Sequence, residues 1–172
     1  QLFHNMDAGG YTLNSGELNI GYGIEVGGSK AYGKTNGLLT INGGTLSGNG
    51  SDSQIQLHPN VNTGTVDLSG VTVSGNGNIP LLLAAGALAA PLDTCTITAA
   101  TATRGIQLNN AGAVSTVTLS GGTQLANTGS EGIYIRGDLD LILDNATIDN
   151  AGGIAAVYSD STAGDFSLEM RN

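Results

Sequence analysis

The sequence predicts an all-β fold, namely a right-handed parallel β-helix, or solenoid, with about 25 residues per coil. Two observations lead to this prediction. One cassette recurs along the chain, and within each copy apolar and polar residues alternate until a Ser-Gly, Gly-Gly or Asp-Asn pair ends the run. No segment shows a convincing amphipathic helical stripe. Two or three short strands per repeat match one coil of a β-helix.

The cassette is marked by a threonine that follows a short apolar or glycine-rich run. These threonines succeed one another at steps of 27, 26, 25 and 24 residues: Thr45, Thr72, Thr98, Thr123 and Thr147. A unit of this length cannot bury its own apolar face, so the copies must stack. The copy that ends at Thr98 is predicted to be one residue short.

The whole chain is expected to be one domain, with residues 1–172 forming a single β-helix. Its 172 residues, 40% of them hydrophobic and 28 of them glycine, suit one ordered body of small side chains. Neither residues 1–7 nor residues 167–172 have the pattern of a polar capping helix, and a solenoid exposes unpaired strand edges where it is not capped. We therefore expect a segment of a longer solenoid, or a unit that stacks end to end.

Equivalent residues of stacked coils should form ladders along the axis, with strands about 4.8 Å apart. One inward ladder is predicted to contain Ile41, Leu68, Leu119, Leu143 and Leu168. A second is predicted to contain Ile55, Ile79, Ile106, Ile133 and Ile154. Arg104 and Glu131 occupy the same slot one coil apart, which predicts an exposed cross-rung salt bridge worth about 0 to 1 kcal/mol.

The longest apolar run, residues 79–91, includes Pro80 and Pro91 and is shorter than the roughly 20 residues that a membrane helix needs. We therefore expect no membrane insertion of this segment. In register with the repeat, residues 79–83 should form a rung, and the rest should form a bulging apolar loop. A short helix between the two prolines is the alternative, since alanine and leucine favour helix.

The charge balance narrows the class of partner. Five Lys and Arg residues stand against 14 Asp and Glu residues, for a net charge of -9, so nucleic acid and anionic membrane surfaces would be repelled at long range. A divalent cation or a basic partner remains compatible with this balance. Cys95 is the one cysteine, so stability must come from stacked strands and packing rather than from an intrachain disulfide.

The repeated segments resemble the passenger regions of bacterial autotransporters and related filamentous surface adhesins, the pertactin-like group. The resemblance rests on LTINGGT at residues 39–45, VTLSGGT at residues 117–123 and DNAGGI at residues 149–154, and it extends from about residue 11 to residue 168. It implies a right-handed parallel β-helix with few cysteines, secretion to the cell surface, and roles in adhesion, aggregation, biofilm formation and virulence. The membrane barrel of that family is not among these residues.

From this resemblance we expect a non-enzymatic adhesin or structural module at the outer surface of a bacterial cell or in the extracellular space. The implied partners are a host or bacterial surface protein, a glycan, or a second copy of the chain.

Two short features are candidates for such contacts. The tripeptide Arg136-Gly137-Asp138 has the spelling of an integrin-binding motif, but alternating leucines directly after it indicate a core strand, so a structural corner is the simpler interpretation. Tyr134 and Tyr158 are the best aromatic contacts for a sugar or a protein, because tyrosine combines an apolar ring with a polar tip.

Carboxylates concentrate in the last third of the chain, which raises the question of a metal. Asp138 and Asp140 should share one outward face, and Asp165 should lie about one rung from Asp140. Like charges that close are destabilising unless a cation intervenes, and oxygen ligands from adjacent coils suit Ca²⁺. The spacing does not follow the nonapeptide of calcium β-rolls. A solvated acidic face is therefore the default, calcium is compatible, and no other cofactor is expected.

A polysaccharide-acting β-helix enzyme, such as a lyase, a hydrolase or a tailspike-like protein, is the alternative to an adhesin. It needs clustered carboxylates, two of them as acid and base, or calcium-binding acids beside a basic residue. Asp67 and Asp93 should stack one coil apart, yet no Lys or Arg is near either in sequence, and His4 and His58 have no evident partner. We therefore expect no catalytic centre.

Overall fold

The computed structural model describes residues 10–19, 24–26, 36–48, 55–57, 63–75, 79–84, 86–99, 104–109, 115–126, 129–149, 155–160 and 164–172. These residues form a parallel β-solenoid of about four turns, with about 27 residues per turn. The all-β parallel solenoid predicted from the sequence is confirmed, and the hand of the coil stays a prediction.

The strands are β1 (Gly10–Leu13), β2 (Glu17–Asn19), β3 (Ile24–Val26), β4 (Asn36–Gly48), β5 (Ile55–Leu57), β6 (Thr63–Gly75), β7 (Leu81–Leu83), β8 (Ala87–Asp93), β9 (Thr96–Thr98), β10 (Arg104–Asn109), β11 (Ser115–Ser120), β12 (Gln124–Ala126), β13 (Glu131–Arg136), β14 (Leu139–Asp144), β15 (Thr147–Ile148), β16 (Ala155–Ser159) and β17 (Phe166–Arg171).

The strands form two sheets in which every described pair is parallel. The six-stranded sheet has the order β16-β13-β10-β7-β5-β3, and the eleven-stranded sheet contains the path β15-β12-β9-β6-β8-β11-β14-β17, with β4 joining β1 and β2 to β6. The long strands β4 and β6 run through a corner, whereas later coils split the same stretch into pairs such as β8 and β9. Each coil is thus bonded to the next through both sheets.

The first inward ladder differs from its prediction at two places. It contains Ile41, Leu68, Leu92, Leu119, Leu143 and Met170, at steps of 27, 24, 27, 24 and 27 residues. Leu168 was wrongly assigned to it, because Leu168 pairs with Leu141 instead. Leu92 was omitted from it. A shift by two residues keeps a side chain on the same face of a strand, so alternation alone does not reveal such an error.

The second inward ladder contains Ile24, Ile55, Leu81, Ile106, Ile133 and Val157. The assignment of Ile79 to it was wrong, since Ile79 is buried but precedes the rung that Leu81 supplies. Ile154 lies outside the described residues, and Val157 takes the predicted place. The ladder residues of both sheets pack into one apolar core.

The apolar run at residues 79–91 supplies two strands rather than a rung and a loop. The rung is confirmed at β7, whose Leu81 and Leu83 pair with β5. The bulging loop was wrong, because β8 pairs with β6 and β11. Along β8, Leu88 is buried and Pro91 is exposed, so the run alternates as a strand does. Across the described ranges, no helix is long and apolar enough to cross a membrane.

The threonine marker is in register at three of its five predicted positions. The observed column is Thr45, Thr72, Thr96, Gln124 and Thr147. Thr98 was wrongly placed in it and pairs with Ser74 and Ala126. The copy containing Thr98 is therefore not one residue short.

The irregular coil is instead the one that contains Thr123, which has one extra residue at its corner. Asp93 and Thr96 pair with Ser120 and Gln124, so three residues on one coil face four on the next. Thr123 is fully buried in this corner. Its hydroxyl lies within donating distance of the Ser120 carbonyl (2.7 Å), and it accepts a hydrogen bond from the Cys95 amide (3.0 Å). The extra residue thus satisfies buried backbone groups.

A column of left-handed residues turns the chain at each of these corners. Their φ angles are +79° at Gly43, +63° at Gly70, +54° at Thr94, +63° at Gly121 and +51° at Asn145. Glycine and asparagine suit this conformation, whereas a β-branched residue is strained in it. Thr94 is therefore the exception among the five.

Candidate binding site

The outer face of the six-stranded sheet carries a group of contacting polar and aromatic side chains, which we name the tyrosine–arginine patch. It consists of Arg104, Gln107, Glu131, Tyr134, Arg136, Tyr158 and Asp160. Register explains how they meet, since Gln107, Tyr134 and Tyr158 pair across β10, β13 and β16. Inward residues alternate with them, so the core positions of the same strands fix the patch in place.

Arg104 and Glu131 form the cross-rung salt bridge that the sequence predicts. Nε of Arg104 lies 3.0 Å from Oε2 of Glu131, and the Glu131 side chain is only 8% exposed, so the pair is more buried than expected. Ser130 also donates a hydrogen bond to Oε2 (2.8 Å). Burial by itself raises the pKa of Glu131, but the bond from Ser130 and the bond and charge of Arg104 outweigh it and hold that pKa below its usual value.

Tyr134 is the centre of the patch, and both faces of its ring are covered. The guanidinium carbon of Arg104 lies 3.6 Å from the ring centroid. The Tyr158 ring stacks against Tyr134 with centroids 5.6 Å apart and an interplanar angle of 12°. Cation–π attraction and ring stacking both favour this order. As a result Tyr134 is 6% exposed, while Tyr158 remains 40% exposed.

Asp160 joins Tyr134 to Arg136. The Tyr134 hydroxyl donates to Oδ2 of Asp160, and Nε of Arg136 donates to the same oxygen at 3.0 Å. The bond to Asp160 is the main cause that raises the pKa of Tyr134, and it also raises the pKa of Arg136. The carboxylate thereby fixes both neighbours, although the Arg136 side chain stays 55% exposed.

Sequence reasoning missed Asp160. The signal was the repeat step itself, because Arg136 and Asp160 are 24 residues apart, the same step that separates the stacked Tyr134 and Tyr158. Two pairs at one step indicate that β13 and β16 bring both into contact.

The tripeptide Arg136-Gly137-Asp138 forms the corner between β13 and β14, with φ of +113° at its glycine. The Asp138 carboxylate accepts a hydrogen bond from the Asp165 amide (2.8 Å), and the Asp138 carbonyl accepts one from the Ser115 amide (3.0 Å). Both charged side chains of the tripeptide are thus engaged by adjacent coils. This geometry matches the structural corner that the leucines after it indicate.

The predicted stacking of Asp140 and Asp165 was wrong. Asp140 pairs with Ser167 and accepts a hydrogen bond from its hydroxyl, while the register of β14 and β17 places Asp165 next to Asp138. The true step between these strands is 27 residues rather than 25. Within the ranges that the structure describes, no three His, Cys, Asp or Glu side chains are grouped so as to hold a metal ion.

The predicted stacking of Asp67 and Asp93 was also wrong. Asp67 pairs with Thr40, whereas Asp93 pairs with Ser69 and Ser120. The two carboxylates thus occupy register positions two residues apart. His4 and His58 lie outside the described residues.

No family model matches this chain, and neither a curated protein nor a solved structure is similar enough to count as a match. The parallel solenoid that the resemblance to surface adhesins implies is present. The narrower resemblance to the pertactin-like group stays a prediction from sequence motifs.

Proposed function

We propose that this chain is a non-enzymatic adhesin or structural module, secreted or displayed on a bacterial cell surface, that mediates adhesion, aggregation or biofilm formation. Its contacts are made by the outer face of the six-stranded sheet. The observation that carries the proposal is the tyrosine–arginine patch, in which an exposed Tyr158 and an exposed Arg136 are held by Tyr134 and Asp160.

The composition of the patch is that of a contact surface. Tyrosine and arginine are enriched among the residues that dominate binding energy at interfaces. Here both are ordered before any partner arrives, because Tyr134 stacks on Tyr158 and Asp160 holds Arg136. Binding then loses little side-chain entropy, which favours affinity.

The charges of the patch indicate which partners it suits. Arg104 and Arg136 are compensated by Glu131 and Asp160, so these four charges cancel, while the whole chain has a net charge of -9. A strong polyanion such as nucleic acid would be repelled by the rest of the surface. The proposed partners are therefore a surface protein, a glycan or a second copy of the chain.

An adhesion assay tests the proposal. Beads coated with the chain should adhere to host or bacterial cells, or aggregate, and Tyr158→Ala and Arg136→Ala should each weaken this more than about fivefold, as interface hot spots do. Phe166→Ala is the matched control, because Phe166 is an exposed aromatic residue on the other sheet.

Two results would contradict this function. One is adhesion that is equally strong in both patch variants and the control. The other is turnover of a polysaccharide by the purified chain, detected as new reducing ends or unsaturated products, which would favour the enzyme alternative.

A further inference from the structure

The Tyr158 ring has one covered face and one accessible face. Tyr134 stacks on the first at a centroid distance of 5.6 Å, so the 40% of Tyr158 that is exposed belongs to its other face and its edge. The ring cannot tilt freely, because its partner Tyr134 is itself held between Arg104 and Asp160. Tyr158 is thus a rigid, flat, apolar platform.

A fixed hydrogen-bonding group lies on the same sheet face. Arg136 donates through Nε to Asp160, and its side chain is 55% exposed, so its guanidinium still presents donors to solvent. Asp160 in turn accepts the Tyr134 hydroxyl. One aromatic platform and one oriented polar group are the usual elements of a small-ligand site.

We propose that Tyr158 and Arg136 bind a neutral saccharide. The C–H face of a pyranose ring packs on the accessible face of Tyr158, and ring hydroxyls accept hydrogen bonds from the Arg136 guanidinium. This inference rests on the proposed adhesive function and names the ligand class of the same patch. Tyr134 and Asp160 are positioning residues, since they act through Tyr158 and Arg136.

The charges favour a neutral sugar over an acidic one. The positive charge of Arg136 is already compensated by Asp160 at 3.0 Å, and a uronate or sulfate would have to compete with that carboxylate. The net charge of -9 on the chain adds repulsion at long range. Hydroxyl groups both donate and accept hydrogen bonds, so they suit a charged pair that remains intact.

Titration calorimetry with defined oligosaccharides tests the inference. The probes are cellohexaose, maltohexaose, xylohexaose and mannohexaose as neutral sugars, and hexagalacturonate as an acidic one. We expect saturable binding of at least one neutral probe, and the loss of one aromatic stacking partner in Tyr158→Ala should weaken it at least about tenfold. Tyr158→Phe should retain most of the affinity, Arg136→Gln should lose part of it, and Phe166→Ala should bind as the wild type does.

The inference is overturned if no neutral probe binds, if only hexagalacturonate binds, or if Tyr158→Ala binds as tightly as the wild type. Circular dichroism of each variant shows whether it is folded, and Tyr158→Phe provides a conservative change if Tyr158→Ala does not fold. Adhesion to cells in the absence of oligosaccharide binding would refute the saccharide and leave the proposed function standing. Failure of both assays would refute both.

Discussion

Ile133 and Tyr134 are neighbours on β13, and both are buried, but by different means. Ile133 is fully buried in the apolar core between the ladder residues of adjacent coils. Tyr134 faces outward and is 6% exposed because Arg104 and Tyr158 cover its ring. One strand thus shows burial by apolar packing on its inner face and burial by directional contacts on its outer face.

The difference shows which positions depend on particular partners. The inner ladder accepts isoleucine, leucine or valine at equivalent places, because burial of apolar area is not directional. The outer position requires a guanidinium over one ring face, a second ring on the other and a carboxylate at the hydroxyl. Stability should therefore depend most on the inner face, and recognition on the outer face.

The largest effect is expected on the inner face. Ile133→Ala should lower the free energy of unfolding by about 2 to 5 kcal/mol, because it removes buried methyl groups and leaves a cavity. Tyr134→Ala should cost less than half as much, since water can replace the ring on an outer face. Urea unfolding followed by circular dichroism measures both. Equal losses in the two variants would show that the two faces contribute to stability in the same way.

A smaller effect is expected at Glu131, on the outer face. Glu131→Gln should lower stability at pH 7 by about 1 to 3 kcal/mol, the range for hydrogen bonds to charged groups. The pKa of Glu131 is lowered in the folded chain, so its stabilisation is present above the usual glutamate pKa and is lost as the pH falls through the folded value.

Thermal unfolding between pH 7 and pH 3 tests this pH dependence, and the gap between the wild type and Glu131→Gln should close as the pH falls. Glu169→Gln is the matched control. Glu169 also pairs with an arginine, Arg171, and its pKa is also lowered, but its side chain is 55% exposed. Solvent screens such a pair, so we expect no measurable change in the control. A gap of constant size across this range would be incompatible with a charged Glu131 as the cause.

The smallest effect is expected at a corner, where backbone conformation decides rather than either face. Thr94 has φ of +54°, and Asn145 has φ of +51° at the same place in a later coil. Thr94→Asn should raise stability by about 0.5 kcal/mol, because asparagine tolerates the left-handed region better than threonine. The bond from the Thr94 hydroxyl to Asp93 is exposed and offsets little of this gain.

Differential scanning calorimetry measures this change as a rise in Tm. Thr96→Asn is the control, since Thr96 lies in a strand where threonine is favoured and asparagine is not. The two substitutions should shift Tm in opposite directions. A fall in Tm for both would show that the positive φ at Thr94 is not the dominant cost at that corner.

Several features of the fold could be predicted from single segments of the sequence. Alternation along β11 and β14 indicates strands and their inward faces, because side chains of a strand point to opposite sides in turn. The Arg104 and Glu131 pair could be predicted as well, since Arg-Gly-Ile and Glu-Gly-Ile mark the same slot on two coils.

The errors all concern the number of residues between coils. Leu168, Thr98 and Asp165 were each placed by assuming steps that change gradually, whereas the first ladder alternates between 27 and 24 residues. The extra residue at Thr123 is absorbed within a corner and leaves the flanking strands in register. Alternation with a period of two does not detect a slip of two residues.

The sequence by itself determined that this protein is a parallel solenoid, which side chains face its core, and that Arg104 pairs with Glu131. Those properties follow from local alternation and from the repeat. Only the tertiary structure decided the register, and with it the contact of Tyr134 with Asp160 and the separation of Asp140 from Asp165. The physical reason is that several registers bury the same apolar residues, so hydrogen bonding between coils and packing at the corners select one of them.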